Sequence, residues 1–400
     1  MDSRQGNGAR ELDFKLVQES APVGSQFQMF DDLRSKYPSF HTDDLNGFWV
    51  LTEHEGISNA LHDWETFSSE SIYVGDPNPA RNWPPVMVDP PEHTYWRRQL
   101  SPLFSPRAVE RYRGLITDRC NELISRFADR GSCDFVADFS RMYPTYVFLS
   151  VMGIPVEDLD QLMSWQADIE RPPGQPDAPE MEQRTLHAAF SLALYLAEVV
   201  KEKKANPQDD VISQALTWEL DGKPITEKQV AEMTMMLSIP GLATVVGQMG
   251  YTWWHLATHE DIRRQVASSP EIIPGALEEF LRLYAPGVVA RKLAKDSRVG
   301  GCPMKAGEMV MLPTGSANRD PKVFPDPDRF VLDRPGANRH LTFGAGAHYC
   351  LGANLARLEI QIALEQWHKF IPEYRLAPDA EVEEYRSQAF WVKSIPLVWP

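Results

Sequence analysis

From Met233 to Trp254 the chain carries no charged residue. About 20 apolar residues suffice to cross a bilayer as a helix. The stretch must therefore span a membrane or pass through the middle of a large fold. Its composition decides: Ser238, Pro240, Gly241, Thr244, Gly247, Gln248 and Gly250 interrupt it, and no Lys/Arg cluster flanks it as membrane topology requires. Thr226 followed by Gln229 is a capping box. It predicts a helix from there to about His255, ~45 Å long, around which other elements must pack. A second helix is predicted over Ile273 to Leu283. A third starts near Leu351, with Leu351, Leu355, Leu358 and Ile362 on one face. Strand signals are short: Phe48 to Thr52, Glu308 to Leu312, and a terminal hairpin over Phe390 to Trp399. The predicted class is mainly α with a small β region.

Forty Lys and Arg against fifty-six Asp and Glu give a net charge of −16, which argues against nucleic acid as a partner. Four cysteines, Cys120, Cys133, Cys302 and Cys350, are too sparse for a disulfide framework and form no C-x-x-C pair. The N-terminus MDSRQGNGARELDF has no apolar stretch of a secretory signal. A cytoplasmic protein with reduced thiols is expected, without a membrane partner. Two proline-rich stretches, Asp76 to Pro91 and Arg171 to Pro179, read as loops of the length that often carries function.

The segment from Phe343 to Gly352, FGAGAHYCLG, is a glycine-bent loop that delivers one cysteine to the start of a helix. A thiol there is expected to have a lowered pKa, because a helix N-terminus favours the thiolate. Gly346 and Gly352 permit tight turns and the close approach of a flat ligand. Phe343 can shield the sulfur. No further Cys/His cluster completes a zinc site with His348. The spacing F-x-x-G-x-H-x-C-x-G resembles the haem-binding signature of the cytochrome P450 family. That resemblance implies that Cys350 is the axial thiolate ligand of the iron of haem b (iron protoporphyrin IX), with Phe343, Gly344, His348 and Gly352 around it.

Other residues carry the same resemblance. Glu279-Phe-Leu-Arg282 places a carboxylate and a guanidinium on one helix face. The family pattern implies a third structural partner, Arg329. His93 and Arg97 lie four residues apart on one face, and with Arg291 and His340 they match family positions that bind the haem propionates. Phe67-Ser-Ser, Asp89-Pro-Pro-Glu92, Asn318-Arg-Asp-Pro321 and Ile395-Pro-Leu-Val-Trp399 extend the match over nearly the whole chain. It points to soluble bacterial members, among them the camphor and cineole hydroxylases. A single haem-binding domain over residues 1–400 is expected, without a fused reductase. Electrons would then come from a separate ferredoxin with its reductase, docking near Arg97, Arg98 and Arg357.

In the family the long helix carries small-Gly-x-acid-Thr over the haem. Here it reads Pro240-Gly-Leu-Ala-Thr244, so Gly241 and Thr244 fit. Pro240 lacks an N–H and is expected to kink the helix, widening the oxygen groove. Ala243 stands where the family has the acid that relays protons. Three routes stay open: water at Thr244 or the kinked carbonyls carries the protons, the substrate helps, or the reaction uses peroxide. The implied activity is insertion of one oxygen atom of O2 into a C–H bond of a small, mostly hydrophobic substrate, by hydroxylation or oxidative demethylation. An atypical haem-thiolate enzyme and a non-catalytic haem binder are the alternatives. By position, Trp83, Val86, Met87, Met236, Leu237, Val288, Val289, and Ala389 or Phe390 line the pocket. Arg81 stands where a camphor hydroxylase has its orienting tyrosine, so camphor is not implied and a polar or anionic group can be met there.

Overall fold

The computed structural model describes residues 4–6, 9–170, 179–387 and 389–400. The proline-rich stretch 171–178 lies outside them, and Pro179 opens the next helix.

The uncharged stretch forms a helix, Glu227–Thr258, of 32 residues. Its start is the expected capping box: the Gln229 N–H donates to Thr226 Oγ1 at 3.2 Å and the Thr226 N–H to Gln229 Oε1 at 3.0 Å. This central helix packs on the helices Met142–Met152 and Pro179–Ala205 and on the strand Phe390–Val392. Val230, Met249, Tyr251 and Trp253 on it are wholly buried, each contributing about 1.5–3 kcal/mol of burial. Its membrane-like composition is that of a core helix. Pro240 lies inside and withdraws the N–H that the Met236 carbonyl would accept. The expected kink does not divide the helix, which continues through to Thr258.

The helices Ile273–Leu283 and Ala353–Phe370 match the predicted second and third. The main sheet has seven strands, ordered Arg4–Gly6, Ala9–Glu11, Ser39–Thr42, Phe48–Leu51, Met309–Pro313, Val288–Leu293 and Phe67–Ser68. Met309–Pro313 is buried at every residue, as a strand covered on both faces must be. It runs parallel to Phe48–Leu51 and antiparallel to Val288–Leu293.

The terminal hairpin is not formed. Phe390–Val392 pairs with Glu383–Arg386, whereas Pro396–Val398 joins Ser132–Asp134 and Arg375–Leu376 in another sheet. Phe390 sits among the rings of Phe27 and Phe30, so its burial commits the first strand before the chain turns. The buried Glu384 then ties this region to the centre. Its carboxylate accepts from the Gly24 and Gln26 N–H groups at the start of the helix Ser25–Lys36, and from the Tyr251 hydroxyl at 2.8 Å.

Candidate functional site

The cysteine loop is set by two glycines in the left-handed region, Gly344 (φ +68°) and Gly346 (φ +67°). A Cβ on Gly346 would stand 2.5 Å from the Leu61 carbonyl oxygen, so only glycine fits there. The Cys350 N–H donates to the Phe343 carbonyl at 2.8 Å, closing the loop. The chain then enters the helix Ala353–Phe370, and the N–H groups of Gly352 and Ala353 aim at the sulfur. Arg357 lies 4.5 Å over the Phe343 ring and grips Glu278 with two bonds, 2.6 and 3.0 Å. Cys350 is accessible yet deep among protein atoms, which puts it on the wall of an internal space. The expected drop in its pKa is not found. Burial pushes the thiol up, against the pull of the Gly352 N–H, Arg97, Arg357 and the Ala353 N–H. A bound metal cation is what deprotonates a thiol in such a place.

Four cationic or ionisable side chains converge beside the loop. His93 and Arg97 come from one face of the helix Glu92–Leu100, Arg291 from the strand Val288–Leu293, and His348 from the loop itself. The His93 and His348 rings lie 4.0 Å apart. Asp89, held by the Ser68 hydroxyl and the Ser69 N–H, reaches to 3.6 Å from His348 Nε2. Burial, then His348 and Arg97, pulls the His93 pKa down to about 3. Arg291 is 6 % exposed, and among the described residues its side chain donates only to the Ala290 carbonyl. Burial lowers its pKa to about 10 although Asp89 supports the charge. Arg97 has no hydrogen-bonded acceptor among the described residues, and the buried His348 Nε2 has none within hydrogen-bond distance. Two guanidiniums and two imidazoles thus share one carboxylate. The desolvated guanidiniums call for anionic partners, and the imidazoles, which burial keeps neutral, can donate an N–H to them. The two carboxylates of haem b supply them, so the residues present fit that cofactor.

Three sequence expectations change here. His340 stands apart from this cluster: its Nε2 is 3.2 Å from Glu278 and its Nδ1 accepts from the Thr342 N–H, so both ring nitrogens serve protein groups. Arg329 is exposed and offers only its carbonyl. The second guanidinium on Glu279 is that of Arg334. Phe390 is buried in the core against the rings of Phe27 and Phe30.

On the central helix, Pro240 and Thr244, one turn apart, are the exposed residues in a region where Met236 and Leu242 are buried. The Thr244 hydroxyl donates to the Pro240 carbonyl at 3.0 Å. Gly241 faces elsewhere: a Cβ there would meet the Phe148 ring at 2.6 Å, so it sets the approach of the helix Met142–Met152. Leu237, Ala243, Val288, Val289, Trp83, Val86, Met87 and Ala389 are half-buried. Ala389 is bridged to Gly287, beside Val288. Sequence reasoning did not anticipate the contacts of Asp89 with His348 or of Gln166 with the Ile239 carbonyl (3.1 Å). Neither has a local signal, since each joins segments distant in the chain.

Residues 271–395 match the family model described as Cytochrome P450. A "Probable cytochrome P450 127A1" of Sinorhizobium fredii is 32 % identical over 91 % of this chain and 86 % of its own length. A "Steroid C26-monooxygenase" of Mycolicibacterium smegmatis is 30 % identical over 88 % of this chain and 86 % of its own. The crystal structure of CYP101J2 superposes with a TM-score of 0.89 at 29 % identity, covering all of both chains. The coverage of these matches, together with the thiolate loop they include, leaves one conclusion: this chain belongs to the cytochrome P450 family of haem b monooxygenases.

Proposed function

We propose that this enzyme inserts one oxygen atom of O2 into a C–H bond of a small, mostly hydrophobic molecule. It acts in the cytoplasm as one haem-binding domain, with electrons from a separate ferredoxin and its reductase. When bound, the haem supplies oxygen activation at its iron. Cys350 would hold that iron, while Arg97, Arg291, His93 and His348 would hold the propionates. Trp83, Val86, Met87, Met236, Leu237, Val288, Val289 and Ala389 would enclose the substrate and exclude water.

Ala243 can neither hold nor pass a proton. The Thr244 hydroxyl gives its own proton to the Pro240 carbonyl, so its oxygen is left to accept from a proton-bearing water, and the Met236 carbonyl freed by Pro240 is available to the same water. On the cysteine side, the exposed Arg98 and Tyr349 suit a docking ferredoxin. Arg357 is half-buried and spent on Glu278, and Arg97 is half-buried in the site, so both are poorer docking groups than expected.

The observation that carries this reading is Cys350 beside two guanidiniums and two imidazoles that share one carboxylate. The test is the carbon monoxide spectrum of the reduced, haem-loaded protein. The red-shifted band of sulfur ligation is expected in the wild type and lost in Cys350→His. The missing acid favours one second reading, a peroxide-driven enzyme. Turnover with peroxide and none with ferredoxin, reductase and NAD(P)H would establish it.

A further inference from the structure

We propose that the outer face of the helix Pro179–Ala205 docks a second copy of this chain, with the two helices antiparallel across a two-fold axis level with Ser191.

The inner face of that helix is used by the fold. Ala188, Leu192, Leu196 and Val199 are buried where the helix packs on Leu159–Glu170 and on the central helix. The outer face carries Leu186, Phe190 and Leu194, which are 63, 65 and 55 % exposed. No other large apolar side chain among the described residues is more than half exposed. The three follow one another at i, i+4 and i+8, so they form one ridge ~12 Å long. Single exposed apolar residues are ordinary, whereas a contiguous patch marks an interaction site. The adjoining residues 171–178, RPPGQPDA, bring no large apolar side chain to it.

Charge and shape together name the occupant. Arg184 and Glu198 lie on the same flank of the ridge by their spacing, one before it and one after it. Both side chains are more than half exposed. Within one copy Arg184 Nη2 donates to Asp168 and Lys201 donates to Glu198 Oε2, so the other guanidinium nitrogens and the other carboxylate oxygen remain available. In an antiparallel two-fold pair, like flanks meet. Residue 191 is midway between 184 and 198, so an axis there sets each Arg184 against Glu198 of the other copy. The same axis brings Leu186, Phe190 and Leu194 level with positions 196, 192 and 188 of the other copy. Those levels fall half a step from its own ridge residues, so the two ridges interdigitate. Two independent demands thus select one register. The ridges hide on the order of 300 Å² per copy, against about 800 Å² in a stable complex of standard size. The pair is therefore weak and concentration-dependent.

Sedimentation velocity of the haem-loaded protein tests this. A monomer–dimer equilibrium centred at roughly 10–100 µM is expected. Phe190→Ser and Arg184→Glu should each weaken it about tenfold. Arg184→Glu combined with Glu198→Arg exchanges the charges across the axis and should return it to within about threefold of the wild type. All of these variants should keep the wild-type carbon monoxide band, which reports the folded, loaded enzyme. Three results would each overturn the proposal: a wild type still monomeric at about 500 µM, a dimer untouched by Phe190→Ser, or a charge exchange no better than Arg184→Glu alone. Phe190-dependent flotation of a monomer with phosphatidylglycerol vesicles would also overturn it, assigning the ridge to a lipid surface.

Discussion

Glu279 and Arg334, 55 residues apart in the chain, meet in a buried ion pair in which Arg334 Nε donates to Glu279 Oε1 at 2.9 Å. Arg282, one helical turn from Glu279, takes both oxygens of the same carboxylate at 2.7 Å. The two guanidiniums then donate to the carbonyls of Asn318, Pro327, Asp326 and Arg329. One carboxylate thus pins the helix Ile273–Leu283 to the segment that leads to the cysteine loop.

Removing Arg334 leaves the Glu279–Arg282 pair in place but takes a donor from Glu279 and from the carbonyls of Asp326 and Arg329. Arg334→Met should destabilise the protein by about 1–3 kcal/mol, read as a lowered denaturant midpoint. Arg329→Ala, which removes only an exposed side chain, should stay within about 0.5 kcal/mol of the wild type.

Thr244 is the remaining polar side chain of the oxygen-side motif, and with its proton on the Pro240 carbonyl its oxygen can hold a proton-bearing water. Thr244→Ala should let oxygen consumption continue while product per NADH falls by about tenfold or more. Thr244→Ser, which keeps the hydroxyl and its bond to the Pro240 carbonyl, should recover most of the loss. Oxygen uptake and product yield measured together check both.

Gly241 is required by packing. Gly241→Ala drives a methyl group into the Phe148 ring, and an overpacked core costs about 1–3 kcal/mol. Phe148→Leu in the same background should restore part of that stability. A double-mutant cycle on unfolding midpoints measures the coupling.

His255 is buried on the central helix, its Nδ1 2.7 Å from the Tyr284 hydroxyl. Burial, aided by His259, pulls its pKa to about 3. The folded protein keeps this ring neutral, while the unfolded chain protonates it below about pH 6.5. Its contribution to stability is therefore complete above pH 6.5 and falls as pH drops towards 3, by up to ~1.4 kcal/mol per pH unit. His255→Gln cannot titrate, so its stability should fall less steeply between pH 6.5 and 5, as followed by denaturant unfolding at each pH.

The central helix was legible because capping and composition are local: Thr226 and Gln229 mark its start, and an uncharged run of that length has no soluble place except the core. The cysteine loop was legible for the same reason, since Gly346 and Cys350 act within one turn of chain. Partners across space were not. Arg329 and Arg334 are close to one another and both far along the chain from Glu279, and only the turn at residues 326–334 decides which guanidinium points inward. The terminal hairpin failed likewise, because its alternation is equally satisfied by two sheets.

Local chemistry in the chain by itself determined the mainly helical class, the central helix and the cysteine delivered to a helix start. The tertiary structure alone decided which cations gather around that cysteine and that its thiol is raised by burial. Those outcomes depend on desolvation and on charges from distant segments, and neither exists until the chain is packed.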